Sequence, residues 1–300
     1  MEEENKGILI TIVAYLLWGI LPIYWKTLEH IAPFEILAHR IVWALVFMVG
    51  IVIVLRKQKD FFQSVRTLWN DKKSLIGIIL ASFAISLNWF IFIWAVNSGH
   101  VVQASLGYYI NPLISIFFSM LVMKETFTKA QWFSFLLAGA GVAYMTVNVG
   151  AFPWVSFALA MSFAVYGLLK KMAAIPAISG LTVETAIVTP LALVYLIPAS
   201  GFPGEVTWFS SNSLLVFSAG AVTAIPLLLF TSGTKRIPLS MVGFLQYIAP
   251  TLMLLIGVFM YNEPFTSVHV VAFAFIWTGL LLYTVERFKK TGHRKVKPSV

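Results

Sequence analysis

Cysteine is absent from the 300 residues, and charge is scarce. Without a thiol there is no disulfide, no thiolate metal site and no cysteine nucleophile. Asp, Glu, Lys and Arg make up 11% of the chain, under half of the roughly 25% usual in a soluble globular protein, and 59% is hydrophobic. The solvent for most of the chain must therefore be lipid. Also missing are a Gly-x-x-x-x-Gly-Lys-Ser/Thr phosphate loop, a Gly-x-Ser-x-Gly elbow, a His-Glu-x-x-His pair and aspartates paired for proteolysis. These absences count against ATP-driven pumping and against an intramembrane enzyme. The opening "MEEENKG" lacks the basic n-region and cleavage site of a secretory signal, so the first apolar segment is expected to stay.

What is present is apolar length. A spanning helix needs about 20 mostly apolar residues. Ten segments qualify: 7–27, 34–55, 74–96, 101–123, 130–148, 153–172, 180–198, 213–233, 239–261 and 267–286. Their connections are short, and the longest, 56–73 and 199–212, leave no room for a folded domain. The expected fold is an all-α integral membrane bundle of ten transmembrane helices. Lys and Arg fall in alternate connections: Arg56 to Lys73, Lys124 and Lys129, Lys170 and Lys171, Lys235 and Arg236, and the tail from Arg287. The other connections at 97–100, 149–152, 199–212 and 262–266 hold none. The positive-inside rule then puts both termini in the cytoplasm of a multi-pass cell-membrane protein. It also explains the net charge of +9 without nucleic acid.

An internal repeat is legible. "YYINPLISIFFSMLVMKETFT" and "QYIAPTLMLLIGVFMYNEPFT" align without a gap, placing Tyr109, Ile110 and Pro112 on Tyr247, Ile248 and Pro250. At the same offset Glu125, Phe127 and Thr128 fall on Glu263, Phe265 and Thr266, and Gly141 falls on Gly279. Glu35 has a looser echo in Glu184, and Trp18-Gly19 in Tyr166-Gly167. The expectation is a five-helix repeat at 7–148, a second at 153–287 and a basic cytoplasmic tail at 288–300. Five is odd, so the second unit enters the membrane from the opposite side. Inverted repeats are the architecture of alternating access, with cargo held near the midplane. Pro112 and Pro250 are candidate helix kinks in equivalent spans.

Polar side chains inside apolar spans need partners or a wet cavity. Trp18, Asn88, Trp89, Tyr109, Asn111, Gln246 and Tyr247 are the candidate substrate-binding set, and interhelical bonding is the competing role for each polar member. "PFEILAHRIVW", residues 33–43, puts Glu35, His39 and Arg40 into a continuous apolar run. With Glu184 they are candidates for a coupling gate. The alternative is a structural lock in which Glu35 neutralises Arg40 or Lys26. His30, Glu35 and His39 could be drawn together as metal ligands, but boundary histidines more often bond hydrogen or titrate, and no metal or cofactor is expected.

The stretches "WGILPIYWK", "PFEILAHRIVW", "LNWFIFIWAVNSGHVVQASLGYYINPL", "AVYGLLKK" and "LTVETAIVTPLAL" resemble the EamA family of the drug/metabolite transporter superfamily, in its RarD branch. The resemblance runs from residue 7 to about 287. It implies a ten-helix inverted-repeat exporter of amino acids, other metabolites or drugs, monomeric or homodimeric, with a cavity lined mainly by spans 1 to 4 and 6 to 9. An uncoupled facilitator or channel is the alternative. Single cysteines at Ser98, Ser200 and Asn262 are expected to react with an impermeant maleimide from outside intact cells, and those at Ser64 and Ser299 only after permeabilisation. The reverse pattern would invert the orientation.

Overall fold

The computed structural model describes residues 2–28, 30–97, 101–124, 127–149, 154–173, 175–199, 211–260 and 266–294. Every element among them is helical: α1 Glu2–Lys26, α2 Pro33–Val54, α3 Gln58–Asn70, α4 Lys72–Asn97, α5 Val101–Leu121, α6 Lys129–Val149, α7 Trp154–Met172, α8 Ala177–Ala199, α9 Ser211–Thr234, α10 Leu239–Leu245, α11 Ile248–Met260 and α12 Ser267–Arg294. Each segment read as a span is helical. Eight are long and apolar enough to cross a membrane, taking Leu239–Met260 as one. The apolar stretches Gly107–Leu121 of α5 and Ser267–Tyr283 of α12 are shorter.

Local chemistry sets the helix ends. Pro33 opens α2, where its missing N–H is not needed. Arg56 and Lys124, each at φ 53°, follow the ends of α2 and α5 in the left-handed conformation that usually falls to glycine. Cations there also complement the helix C-terminal dipole. Asp71 caps α4, its carboxylate accepting from Ser74 Oγ at 2.5 Å and Lys73 N–H at 3.1 Å. α6 begins with a capping box: Thr128 N–H donates to Gln131 Oε1 at 2.9 Å, and Gln131 N–H to Thr128 Oγ1 at 3.2 Å. Thr266 and His269 make the related cap before α12, Thr266 Oγ1 lying 2.8 Å from His269 Nδ1.

Two elements depart from the sequence reading. The connection at 56–73 contains α3, a helix whose Phe62 and Trp69 are exposed while Leu68 packs with Ile78 and Ile175. Its charges interrupt the apolar run, so a spanning criterion passes over it; its amphipathic pattern suits the membrane interface. The ninth span is broken into α10 and α11 at Gln246 and Tyr247. Proline removes the N–H that would bond the carbonyl four residues back and crowds that carbonyl, which for Pro250 belongs to Gln246. The expected kink at Pro250 is thus a break one turn earlier, with Pro250 in the first turn of α11. Pro112, the expected kink in span 4, lies inside α5, which stays helical through Tyr108 and Tyr109.

α1 packs on α9 and α11, α2 on α8 and α9, α4 and α5 on α7, α5 on α10, and α6 on α12. The largest core joins Tyr15, Ile85, Ile116, Tyr166, Phe230 and Phe244. In lipid, close approach of small residues supplies much of the packing energy. A Cβ on Gly141 would lie 2.7 Å from the Ala272 carbonyl oxygen, and one on Gly279 would lie 2.6 Å from that of Ser134. The contact is reciprocal: position 134 stands to 272 as 141 stands to 279. The small-residue stripe at 138–141 therefore packs α12 through Ala138 and Gly141, while a Cβ on Gly139 would meet nothing within 4 Å.

Gly141→Ala or Gly279→Ala should each destabilise the bundle by about 1–3 kcal/mol through overpacking. The double variant should cost less than the sum, because either methyl opens the same interface. Gly139→Ala is the neutral control, and thermal unfolding in detergent reads all four.

Candidate functional site

The positively charged connections gather at one end of the bundle, called here the basic end. α1 ends and α2 begins at the opposite end. There the side chains of "PFEILAHRIVW" are buried: Glu35 at 4% exposure, His39 at 3% and Arg40 at 7%. Glu35 and His39 are one turn apart on α2, with His39 Nε2 at 3.9 Å from Glu35 Oε1. Arg40 points elsewhere. Its guanidinium carbon lies 4.4 Å from the ring centre of Trp25 on α1 and 4.6 Å from that of Trp89 on α4. Nε donates to Thr223 Oγ1 on α9 at 3.1 Å.

Of the two cations weighed as partners for Glu35, Arg40 is not paired with it. No carboxylate lies within ion-pair distance of Arg40 among the described residues. The reason is angular: Arg40 sits about 100° around the helix from His39 and about 140° from Glu35. Indole faces take the carboxylate's place. An arginine at the centre of a spanning helix costs roughly 2.5–3.5 kcal/mol on insertion scales. A desolvated cation–π contact returns about 2 kcal/mol, so two are of the size required.

Deeper in the bundle an aromatic cluster surrounds Trp18. Its ring centre is 5.5 Å from those of Tyr15, Phe163 and Phe230. Gln246, at the α10–α11 break, lies beside the Tyr15 hydroxyl and 3.5 Å from Ser115 Oγ. The rest of the candidate set is divided. Asn88 turns from α4 to α7, donating to the Leu159 carbonyl at 2.8 Å and to Ser162 Oγ at 3.1 Å, so it acts as interhelical glue. Tyr109 donates to the Pro250 carbonyl at 3.0 Å, tying α5 to the first turn of α11. Tyr109 and Tyr247 share a cluster with Phe273 and Ile276 on the α6–α12 side. Tyr247 Oη and Asn111 Oδ1 are buried with no hydrogen-bond partner among the described residues. The side chains of Gln103 and Ser105, and Glu125 and Glu263 entirely, lie outside the described residues.

The basic end holds a site that the charge map concealed. Lys170 reads as part of a cytoplasmic Lys-Lys pair, yet it is inside α7 and 1% exposed. Its Nζ donates to Glu184 Oε1 on α8 at 2.6 Å, and Tyr166 donates to Oε2 at 3.4 Å. The available signal was Tyr166, one helical turn before Lys170 on the same face. Two neighbouring lysines bridge the connections. Lys171 Nζ donates to the carbonyls of Thr234 at 2.8 Å and Ile237 at 2.6 Å. Lys235 Nζ donates back to the carbonyls of Ala173, at 2.9 Å, and Ile175. Burial, and then the charge of Lys170, pull the Lys235 pKa down to about 8.

No group of three His, Asp or Glu placed to hold a metal occurs among the described residues. A groove of about 350 Å³ between α11 and α12, lined by Leu255, Phe259, Phe273 and Trp277 among others, is almost wholly apolar. It offers cargo no polar handle.

Known proteins resemble the whole chain. The model of the EamA-like transporter family matches residues 5–147. "Uncharacterized transporter YojE" of Bacillus subtilis is 46% identical over 291 residues, covering 96% of each chain. "Protein RarD" of Escherichia coli is 37% identical over 289 residues, covering 95% of this chain and 96% of that one. A solved protein structure superposes with a TM-score of 0.69 at 21% identity, over 93% of this chain and 97% of the other, and so shares the fold.

Lys170→Met should lower stability by about 3–5 kcal/mol, because it strands the Glu184 carboxylate in the core. The double replacement K170M/E184L should recover most of that loss. Denaturation in mixed micelles measures both, and a double variant no more stable than the single one would show that the pair is not the source of the effect.

Proposed function

The chain belongs to the EamA-like transporter family, in its RarD-type branch, and we propose that it is a secondary carrier of small amphipathic solutes working by alternating access. Membership makes it a multi-pass membrane transporter rather than an enzyme. The reading proposed beyond that is ten spans in two inverted repeats, 7–148 and 153–287, with the basic end in the cytoplasm and export as the direction. Cargo would pass between the halves, near Trp18, Trp89 and Gln246.

One observation carries this reading. Spans 4 and 9 match in sequence, each with proline three residues after a tyrosine, yet they differ in backbone. α5 runs unbroken past Tyr109, while α10 and α11 part at Tyr247. Two halves of one design in unlike states are what an inverted-repeat carrier requires when one end is closed. The reciprocal Gly141 and Gly279 contacts and the paired threonine caps support the repeat. At the basic end the repeats meet where Gly7 packs against Arg236 and Arg236 Nε donates to Glu3 Oε2 at 3.1 Å, contacts that support closure there. In this reading Glu35, His39 and Glu184 are the groups available for coupling to protons, and Tyr247, whose hydroxyl has no partner among the described residues, would make the symmetry-related bond to the Pro112 carbonyl in the other state.

Paired spin labels test this without knowledge of the cargo. One pair, at Lys6 and Met172, reports the basic end; the other, at Trp154 and Leu214, reports the opposite end. In Gly7→Leu, which forces α1 away from Arg236, the first distance should lengthen while the second shortens. Lengthening at the basic end with no change opposite would fit a channel and refute the carrier.

A further inference from the structure

The setting of Arg40 has a consequence for cargo chemistry. Guanidinium carries five N–H donors in a rigid planar fork, and stacking on its faces leaves the edge available. The guanidinium carbon of Arg40 lies over the rings of Trp25 and Trp89, and Thr223 takes the Nε–H. Among the described residues the Nη donors have no acceptor and the charge has no carboxylate partner. The ionisable groups whose fields reach it are the phenols of Tyr108 and Tyr24. Tyr24 is committed elsewhere, donating to the Leu215 carbonyl and lying 3.0 Å from Ser218 Oγ. Arg40 is more than nine-tenths buried, roughly 10 Å along α2 from its start, and is anchored by three other helices: α1, α4 and α9. A cation held this rigidly, with its donor edge unspent, is arranged to receive an anion. A planar fork matches a carboxylate with two parallel bonds, which a tetrahedral phosphate fills less well.

We propose that Arg40 is the recognition group for a carboxylate on the transported molecule, so that the cargo is an amphipathic organic acid whose apolar body lies among the surrounding indole and phenol rings. This rests on the transporter reading and narrows its substrate class. Trp25 and Trp89 are then positioning residues that hold the guanidinium plane, and Thr223 fixes its rotation. Glu35 and His39, on another face of α2, are left for a separate role.

The test is binding to the purified full-length protein in an uncharged detergent. Benzoate, phenylacetate and indole-3-acetate are compared with their neutral amides and with inorganic phosphate. Wild type should show millimolar or tighter binding of the acids, as a concentration-dependent rise in melting temperature. The amides should leave it unchanged. Arg40→Gln should weaken acid binding at least about tenfold; Arg40→Lys, which keeps the charge but loses the fork, should fall between. Should R40Q not fold, the contrast between acids and amides in wild type decides alone. Equal shifts from acids and amides, acid binding that survives in R40Q, equal response to phosphate, or no acid binding at 10 mM would each overturn the proposal. The assay does not depend on alternation. A failure here with reciprocal spin-label distances would leave a carrier whose cargo is not held through a carboxylate, and the opposite result would leave a carboxylate site in a protein that does not rock.

Discussion

A charge inside hydrocarbon must be neutralised or hydrogen-bonded within the bundle, and that requirement selects which helices can be neighbours. Three solutions are in use. Lys170 and Glu184 neutralise one another and fasten α7 to α8. Glu35 and His39 meet along a single helix face. Arg40 is held by the faces of two indoles and one hydroxyl, which ties α2 to α1, α4 and α9 together. The first of these is closed upon itself. The third leaves its Nη donors without an acceptor among the described residues, and this is why its chemistry points outward to a partner.

Backbone accounting explains most of what remains. Spanning helices satisfy their own N–H and C=O groups, and the hydroxyls of Thr11, Ser82, Thr185 and Thr189 bond back to carbonyls four residues earlier. Proline is where the ledger fails to close internally. At Pro250 the helix opens, and Tyr109 reaches across to bond the Pro250 carbonyl. At Pro112 the helix holds, with Gly243 of α10 packed so closely that a Cβ there would meet the Pro112 carbonyl oxygen at 2.9 Å. The same residue type is thus tolerated in two ways, set by what the neighbouring helix brings.

Much of this was legible in the sequence. Apolar length located the helices, and the constant offset from Tyr109 to Gly141 marked the positions that later proved reciprocal. α3 was missed because hydropathy summed over a window averages away an amphipathic face. Lys170 was misplaced because a lysine at the edge of an apolar run looks like a topology signal whether it faces water or Glu184. The neighbours of Arg40 are hidden for a related reason: charge complementarity offers it Glu35 as one partner, while the side chains over which it lies are indoles from other helices. Asn88 and Tyr109 are polar positions for which the sequence leaves interhelical bonding and cargo contact equally open. An amide or phenol in lipid needs a bond before it needs a ligand, and theirs are spent on backbone carbonyls.

The two lysine systems at the basic end differ in what it would cost to open them, and that difference sorts fixed parts from moving ones. Separating Lys170 from Glu184 would leave two bare charges where neither side chain sees water, at several kcal/mol per ion. Lys171 and Lys235 are half-buried and hold main-chain carbonyls. Released into water, each ammonium is rehydrated, and each charge-assisted bond given up is worth about 1.5–3 kcal/mol before that compensation. The net balance falls within the few kcal/mol that separate interconverting states of one protein. Both systems lie within the second repeat, and of the two the crossed lysines are therefore the contacts that can loosen at small cost, while the Lys170–Glu184 pair holds α7 and α8 as a unit. The sequence writes Lys170 and Lys171 side by side with the same letter; their assignment to opposite roles comes entirely from how much water each would regain.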